Sequence, residues 1–191
     1  MWNEQIIMML LEGIKDTLYM TLTSTLIGYV IGLPMGILLT VTDKDGIHPN
    51  TAVYKVLDVI ANLIRSVPFL ILLIVLIPFT RFLIGRSYGP TATIVPLVIA
   101  AAPYIARMVE SSLKEVDAGV IEAARSMGAS NFTIVTKVML VEARTSLIVG
   151  ATISLGTILG YSAMAGTVGG GGLGDIAIRY GYTRWQTDIM I

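Results

Sequence analysis

The sequence predicts an all-α membrane protein, a bundle of transmembrane helices interrupted by one polar connection. Three observations carry that prediction. Of 191 residues, 54% are hydrophobic and only 14% charged, against about 25% charged in ordinary soluble domains; mean hydropathy is +0.78. Uncharged intervals run for 26 residues from Thr17 to Thr42, 20 from Ser87 to Ala106 and 30 from Thr145 to Gly174, and a helix crosses a 30 Å hydrocarbon core in about 20 residues. Gly28, Gly32 and Gly36 recur at four-residue spacing inside the first interval, the pattern that lets helix backbones approach closely in a bundle.

Composition also removes function classes. Thirteen Lys and Arg balance thirteen Asp and Glu, so no global basic field draws the chain to nucleic acid. Without cysteine, and with His48 as the one histidine, thiol chemistry and polyhistidine metal sites are excluded. A soluble single-domain enzyme does not fit, and residues 1–191 read as one membrane domain.

The elements follow in order. The N-terminal flank carries Glu4, Glu12 and Asp16 against Lys15 and lacks the positive region of a cleavable signal, so the first span is expected to be retained. Ser66 to Thr80 offers only 15 uncharged residues, but Val59 to Ile64 extends it and Arg65 can snorkel or face protein, which makes it a further span. Pro34, Pro68, Pro78, Pro96 and Pro103 each remove a backbone donor in or near a span, a loss tolerated where protein or a water-filled cavity repairs it. Both kinked structural helices and the broken helices of transporters meet that description. The chain stops at Thr187-Asp-Ile-Met-Ile191, where a new apolar run begins, and a fifth span is expected beyond it.

Residues 107–144 hold five Lys and Arg (Arg107, Lys114, Arg125, Lys137, Arg144), whereas the loop near Arg81 and Arg86 holds two. Because positively charged short loops stay cytoplasmic, residues 107–144 and 43–55 are expected inside. The N-terminus, residues 81–88 and the stretch after the fourth span are then outside.

Within the 107–144 connection, the segment from Glu115 to Ser130 places Val116, Val120, Ala124 and Met127 on one helical stripe, with Asp117, Glu122 and Arg125 off it. Gly128 supplies a C-terminal stop and Ser130 an N-cap for a second helix from Asn131. The pattern fits a short amphipathic helix outside the bundle, either lying in the lipid interface or contacting a partner; its polar face carries mixed charge rather than the several Lys or Arg of an interfacial anchor. Gly169, Gly171 and Gly174 match Gly-x-Gly-x-x-Gly, but that fingerprint requires a βαβ unit. A tight irregular turn with unusual backbone angles is the expectation instead.

Glu122-Ala123-Ala124, three residues, Gly128, nine residues and then Val138-Met-Leu140 resembles the EAA signature of bacterial ABC importer permeases, with Val141 where that signature carries proline. Asn62-Leu-Ile-Arg65-Ser-Val-Pro68-Phe69 is similar to a motif of amino-acid permeases. Gly160-Tyr-Ser-Ala-Met-Ala-Gly166, with Gly169 to Gly174 and Tyr180-Gly-Tyr182, resembles the methionine branch. The resemblance implies a multi-pass subunit of the bacterial cytoplasmic membrane that pairs with a second copy of itself. It also implies two cytoplasmic ATPase subunits that bind ATP and Mg, and an extracytoplasmic methionine-binding protein. This chain has no Gly-x-x-x-x-Gly-Lys-Ser/Thr, so the phosphate-cradling loop must come from a partner and no cofactor is expected here. Glu122, Ala123, Ala124, Arg125 and Gly128 are then the coupling surface to that ATPase.

For the solute pathway, Tyr161 and Met164 lie three apart on one helix face, with Ser162 and Thr157 offering hydroxyls. A thioether against an aromatic edge suits a methionine side chain; ordinary bundle packing accounts for the same residues. Two other classes remain open at this point, an ion-coupled transporter or channel resting on Asp58 and Arg65, and a scaffold without transport. The topology is testable because the chain has no cysteine of its own. A membrane-impermeant thiol reagent added to intact cells is expected to label Ser87→Cys and to spare Ser126→Cys; the reverse pattern inverts the assignment.

Overall fold

The computed structural model describes residues 4–186 and Ile189, and among them it is helical without a strand. Its elements are α1 Glu4–Thr42, α2 Thr51–Ser66, α3 Phe69–Val75, α4 Ile77–Ile84, α5 Pro90–Lys114, α6 Ala118–Ser126, α7 Asn131–Thr133, a π-helical stretch Ile134–Met139, α8 Leu140–Glu142, α9 Arg144–Ala165, α10 Gly172–Ile176 and a second π-helical stretch Ala177–Tyr182. Three candidate membrane spans stand out, or four if the bent pair α2 and α3 counts as one broken span.

Several boundaries differ from those expected. α1 is 39 residues long and starts at Glu4, because Gln5 to Ile14 is rich in good helix formers that charge counting ignored. The Ser66–Thr80 run is not one straight helix: it stops at Val67-Pro68 and again at Leu76. Pro68 disfavours helical geometry at residue 67, and Pro78 sits in the first turn of α4. By contrast Pro34 lies inside continuous α1 and Pro96 and Pro103 inside continuous α5, so the proline pattern breaks one segment only. Arg107 to Lys114 also prove to be the last turns of α5 rather than part of the connection. The fourth long helix ends at Ala165, short of Gly174. The expected start of a fifth span, Thr187 to Ile191, falls almost wholly outside the described residues.

The chain forms two compact units. The first takes in the described residues of Met1–Ile27, Val67–Ala100 and Leu155–Ile191. Its organising feature is the glycine turn: Gly169, Gly171 and Gly172 all have positive φ. Gly89 donates its N–H to Gly169 O at 2.9 Å, Thr93 Oγ1 donates to Gly170 O at 3.2 Å, and Leu173 N–H donates to Thr17 Oγ1 at 2.9 Å. The N-terminal half of α1, the start of α5 and the stretch after α9 therefore meet at one place, and all three had been expected on the same side of the membrane.

The second unit comprises Gly28–Ser66 and Ala101–Ser154. Here α1 and α5 run parallel, for Gly28 faces Ala101 and Ile105, Gly32 faces Ala102 and Ile105, and Gly36 faces Ala106 and Val109. A Cβ at Gly32 would lie 2.6 Å from Ala102 O, and one at Gly36 2.5 Å from Ala106 O; at Gly28 it would meet only the tip of Ile105 at 2.9 Å and Ala101 Cβ at 3.2 Å. Backbone cannot yield as a side-chain tip can. Gly32→Ala and Gly36→Ala are thus expected to destabilise by about 1–3 kcal/mol and Gly28→Ala by less, read as midpoints of thermal unfolding in detergent.

Candidate functional site

The Glu115–Ser130 segment folds as a capped helix with a defined stop. Asp117 is the N-cap of α6, its carboxylate accepting from Gly119 N–H at 2.8 Å; it is not part of a continuous polar face. At the other end Gly128 takes φ +83°, with Ala129 N–H donating to Ala124 O at 3.1 Å and Gly128 N–H to Arg125 O at 2.9 Å. That pair of bonds is a Schellman stop. Ser130 Oγ then accepts from Thr133 N–H at 3.3 Å and caps α7, as the sequence predicted.

The expected apolar stripe is only partly an inner face. Ala124 is buried at 5% exposure while Met127 is 82% exposed and Val120 is exposed too; Val116 precedes the helix. Glu122 and Ala123 are exposed. Arg125 turns toward its own chain and donates to Ile47 O at 2.8 Å, in the loop between α1 and α2. Glu122, Arg125, Asp43, Ile47 and Lys114 line a cavity of about 510 Å³ there.

Beside this cavity lies a charge cluster. Lys114 Nζ reaches Asp43 at 2.7 Å and Glu110 at 2.8 Å; Arg107 pairs with Glu110 at 2.6 Å and with Asp58 of α2, and donates to Asn62 Oδ1 at 3.1 Å. Asp43, outside the spans, is held below the usual carboxylate range by the hydrogen bond from Lys114. A lowered carboxyl stabilises the fold above its unfolded value and loses that contribution only as pH falls through the lowered one, so the Asp43–Lys114 contact is intact at neutral pH.

The residues proposed for a solute path lie on α9, in the first unit. Tyr161 is half-buried and stacks on Phe69, centroids 4.5 Å apart and rings 6° from parallel. Ser162 is buried, donates to Leu159 O at 2.7 Å, and lies 3.5 Å from Thr21 Oγ1. Met164 is 46% exposed. The three do not form one pocket: Tyr161 and Ser162 pack inward, and Met164 faces away from the packed interior.

Residues 9–188 match the family described as the binding-protein-dependent transport system inner membrane component. The chain belongs to that family. It is 47% identical over 95% of its length to a probable D-methionine transport system permease protein of Vibrio cholerae, covering 81% of that protein. It is 50% identical over 86% of its length to the D-methionine transport system permease protein of Escherichia coli K12, covering 76% of it. A solved chain of the MetNI methionine ABC transporter, described as inward facing, superposes with a TM-score of 0.96 at 49% identity, over 99% of this chain and 88% of that one. An amino acid ABC transporter shares the fold at a TM-score of 0.76 and 22% identity.

Within this permease family member, the departure from the EAA signature at Val141 has a structural counterpart. Around that position the chain passes through the π-helical stretch Ile134–Met139, the short α8 and a turn at Ala143 before α9 begins. Sequence reading gave no site role to Asp43 or Glu110, counted Lys114 only as a loop charge and quoted Asn62 only as part of a motif. The i, i+3 and i, i+4 spacing of Arg107, Glu110 and Lys114 was the available signal, but their partners on α1 and α2 have no local signature. Because Gly128 holds a left-handed angle that a β-branched residue strongly resists, Gly128→Val is expected to unlatch the end of α6. Hydrogen exchange at residues 123–129 should rise about 5- to 30-fold, following the roughly 1–2 kcal/mol cost of that conformation, with little change elsewhere.

Proposed function

We propose that this chain is the membrane-spanning subunit of an ABC importer for methionine, forming the translocation path and taking its energy from separate ATPase subunits. The observation that carries this reading is the 49% identity and near-complete superposition on a methionine ABC transporter chain, together with 47% identity to a D-methionine permease over almost the whole chain.

In this reading two copies pair in the bacterial cytoplasmic membrane with residues 107–144 inside. Two ATPase subunits bind ATP and Mg, and an external binding protein delivers methionine. Work on ATP reaches the bundle as motion of α6. Glu122 suits that contact: its carboxylate is exposed and takes no hydrogen bond or ion pair among the described residues, so it is free to accept a charge-assisted bond from a partner. The Schellman stop at Gly128 fixes the angle at which α6 is presented, and Ala123 keeps the contact surface flat. An ion-coupled mechanism loses its main support, since Asp58 is paired with Arg107 rather than standing alone in a span.

Met164, exposed on α9 two turns beyond Thr157, is assigned to the solute path, with Tyr161 and Ser162 as the packed layer that holds it there. Proteoliposomes containing the assembled complex are expected to accumulate radiolabelled methionine on ATP addition, in preference to a panel of other amino acids. No methionine preference in that assay would reject the substrate. In the same assay Met164→Ala should leave basal ATPase activity within about twofold and change uptake or selectivity by several-fold, the range expected when a soft apolar contact of about 1 kcal/mol is removed. Unchanged uptake and selectivity would return Met164 to packing.

A further inference from the structure

The charge cluster at the end of α5 links the two stretches that the reading above leaves separate. Glu110 is buried at 6% side-chain exposure between two cations, Arg107 one turn before it and Lys114 one turn after. Lys114 extends the chain of contacts to Asp43, immediately after α1. Arg107 extends it to α2, where Asp58 accepts from the guanidinium and Asn62, one turn further on, accepts as well. Asn62 Nδ2 in turn donates to Asp58 Oδ1 at 3.2 Å, so the two acceptors are oriented by each other. From Asp43 the backbone continues to Ile47, whose carbonyl receives Arg125 of α6. α6, the α1–α2 loop, the end of α5 and the middle of α2 are therefore joined by charged hydrogen bonds and, between Asp43 and Ile47, by four residues of backbone.

A cluster of this kind is poor glue. Two cations and three carboxylates, Glu110 buried and the others partly withdrawn from water, gain little over apolar packing of equal volume, but they hold one geometry because each bond is directional. We propose that Arg107 is a positioning residue for transport: its planar fork ties α2 to α5, so that displacement of α6 by the ATPase is carried to α2 instead of dissipating in the α1–α2 loop. The planar guanidinium matters here, since it engages Asp58, Asn62 and Glu110 simultaneously and a point-charge ammonium cannot.

The inference rests on the importer reading, and one experiment separates the two. Hydrogen exchange is followed in α6 and α2 of the assembled complex with and without ATP, for the wild type, Asp58→Asn, Arg107→Gln, Arg107→Lys and the apolar pair Asp58→Leu with Arg107→Met. In the wild type both helices should change protection on ATP addition. In Asp58→Asn and Arg107→Gln, α6 should still respond while the α2 response falls at least fivefold, and Arg107→Lys should restore it only in part. The apolar pair should recover thermal stability without recovering the α2 response. An α2 response equal to wild type in Asp58→Asn or Arg107→Gln overturns the proposal, as does full recovery by the apolar pair or a wild-type α2 that stays silent while α6 responds. A wild-type α6 that ignores ATP instead defeats the assignment of α6 as the ATPase contact.

Discussion

The parallel contact of α1 with α5 is set by backbone against backbone, and the ion pairs beyond it depend on that register. At Gly32 and Gly36 the α5 carbonyls occupy the space where a side chain would begin. The two helices cannot slide, because each α1 glycine faces its own shallow place on α5. That fixed register brings Asp43 to Lys114 where the two helices end, and it sets the height at which Arg107 meets α2. Lipid supplies no hydrophobic push between helices, so dispersion across this close contact and directional polar bonds carry the association.

From that register the arrangement of α6 follows. The chain leaves α5 at Lys114, already anchored, and three residues later Asp117 caps α6. The helix ends at a glycine turn and is tethered through Arg125 to the loop that Asp43 begins. A short helix of nine residues has little stability of its own, yet here both ends and one side chain are held. Glu122 and Ala123 are left outward on a helix whose two ends are fixed.

Much of this was readable in the chain. The uncharged intervals located three long helices, the four-residue glycine spacing located the close contact, and Gly128 and Ser130 marked a stop and a cap that the structure has at those positions. Local rules worked where the determinant is local: a positive φ, a side chain bonding its own backbone, a missing Cβ. They failed for Asp117, whose charge drew it onto a polar face when its capping role lay in its position just before the apolar run. For the Ser66–Thr80 run they marked a further span but not its bend, because hydropathy averages across Pro68. The cluster of Asp43, Asp58, Glu110, Arg107 and Lys114 was out of reach because its members come from α2, α5 and the loop after α1, and no spacing within one helix names a partner outside it.

The chemistry of the interior has an electrical consequence. Among the described residues, every fully buried polar side chain except Glu110 is a serine or threonine, and Glu110 lies between Arg107 and Lys114. A hydroxyl has no charge to move, and Glu110 is paired with two cations that Asp58 and Asp43 engage in turn. Voltage does work on a membrane protein only by displacing charge, about 2.3 kcal/mol for each elementary charge per 100 mV. The packed core of this chain, hydroxyls and one paired carboxylate among the described residues, therefore holds no isolated charge on which a membrane potential could do work.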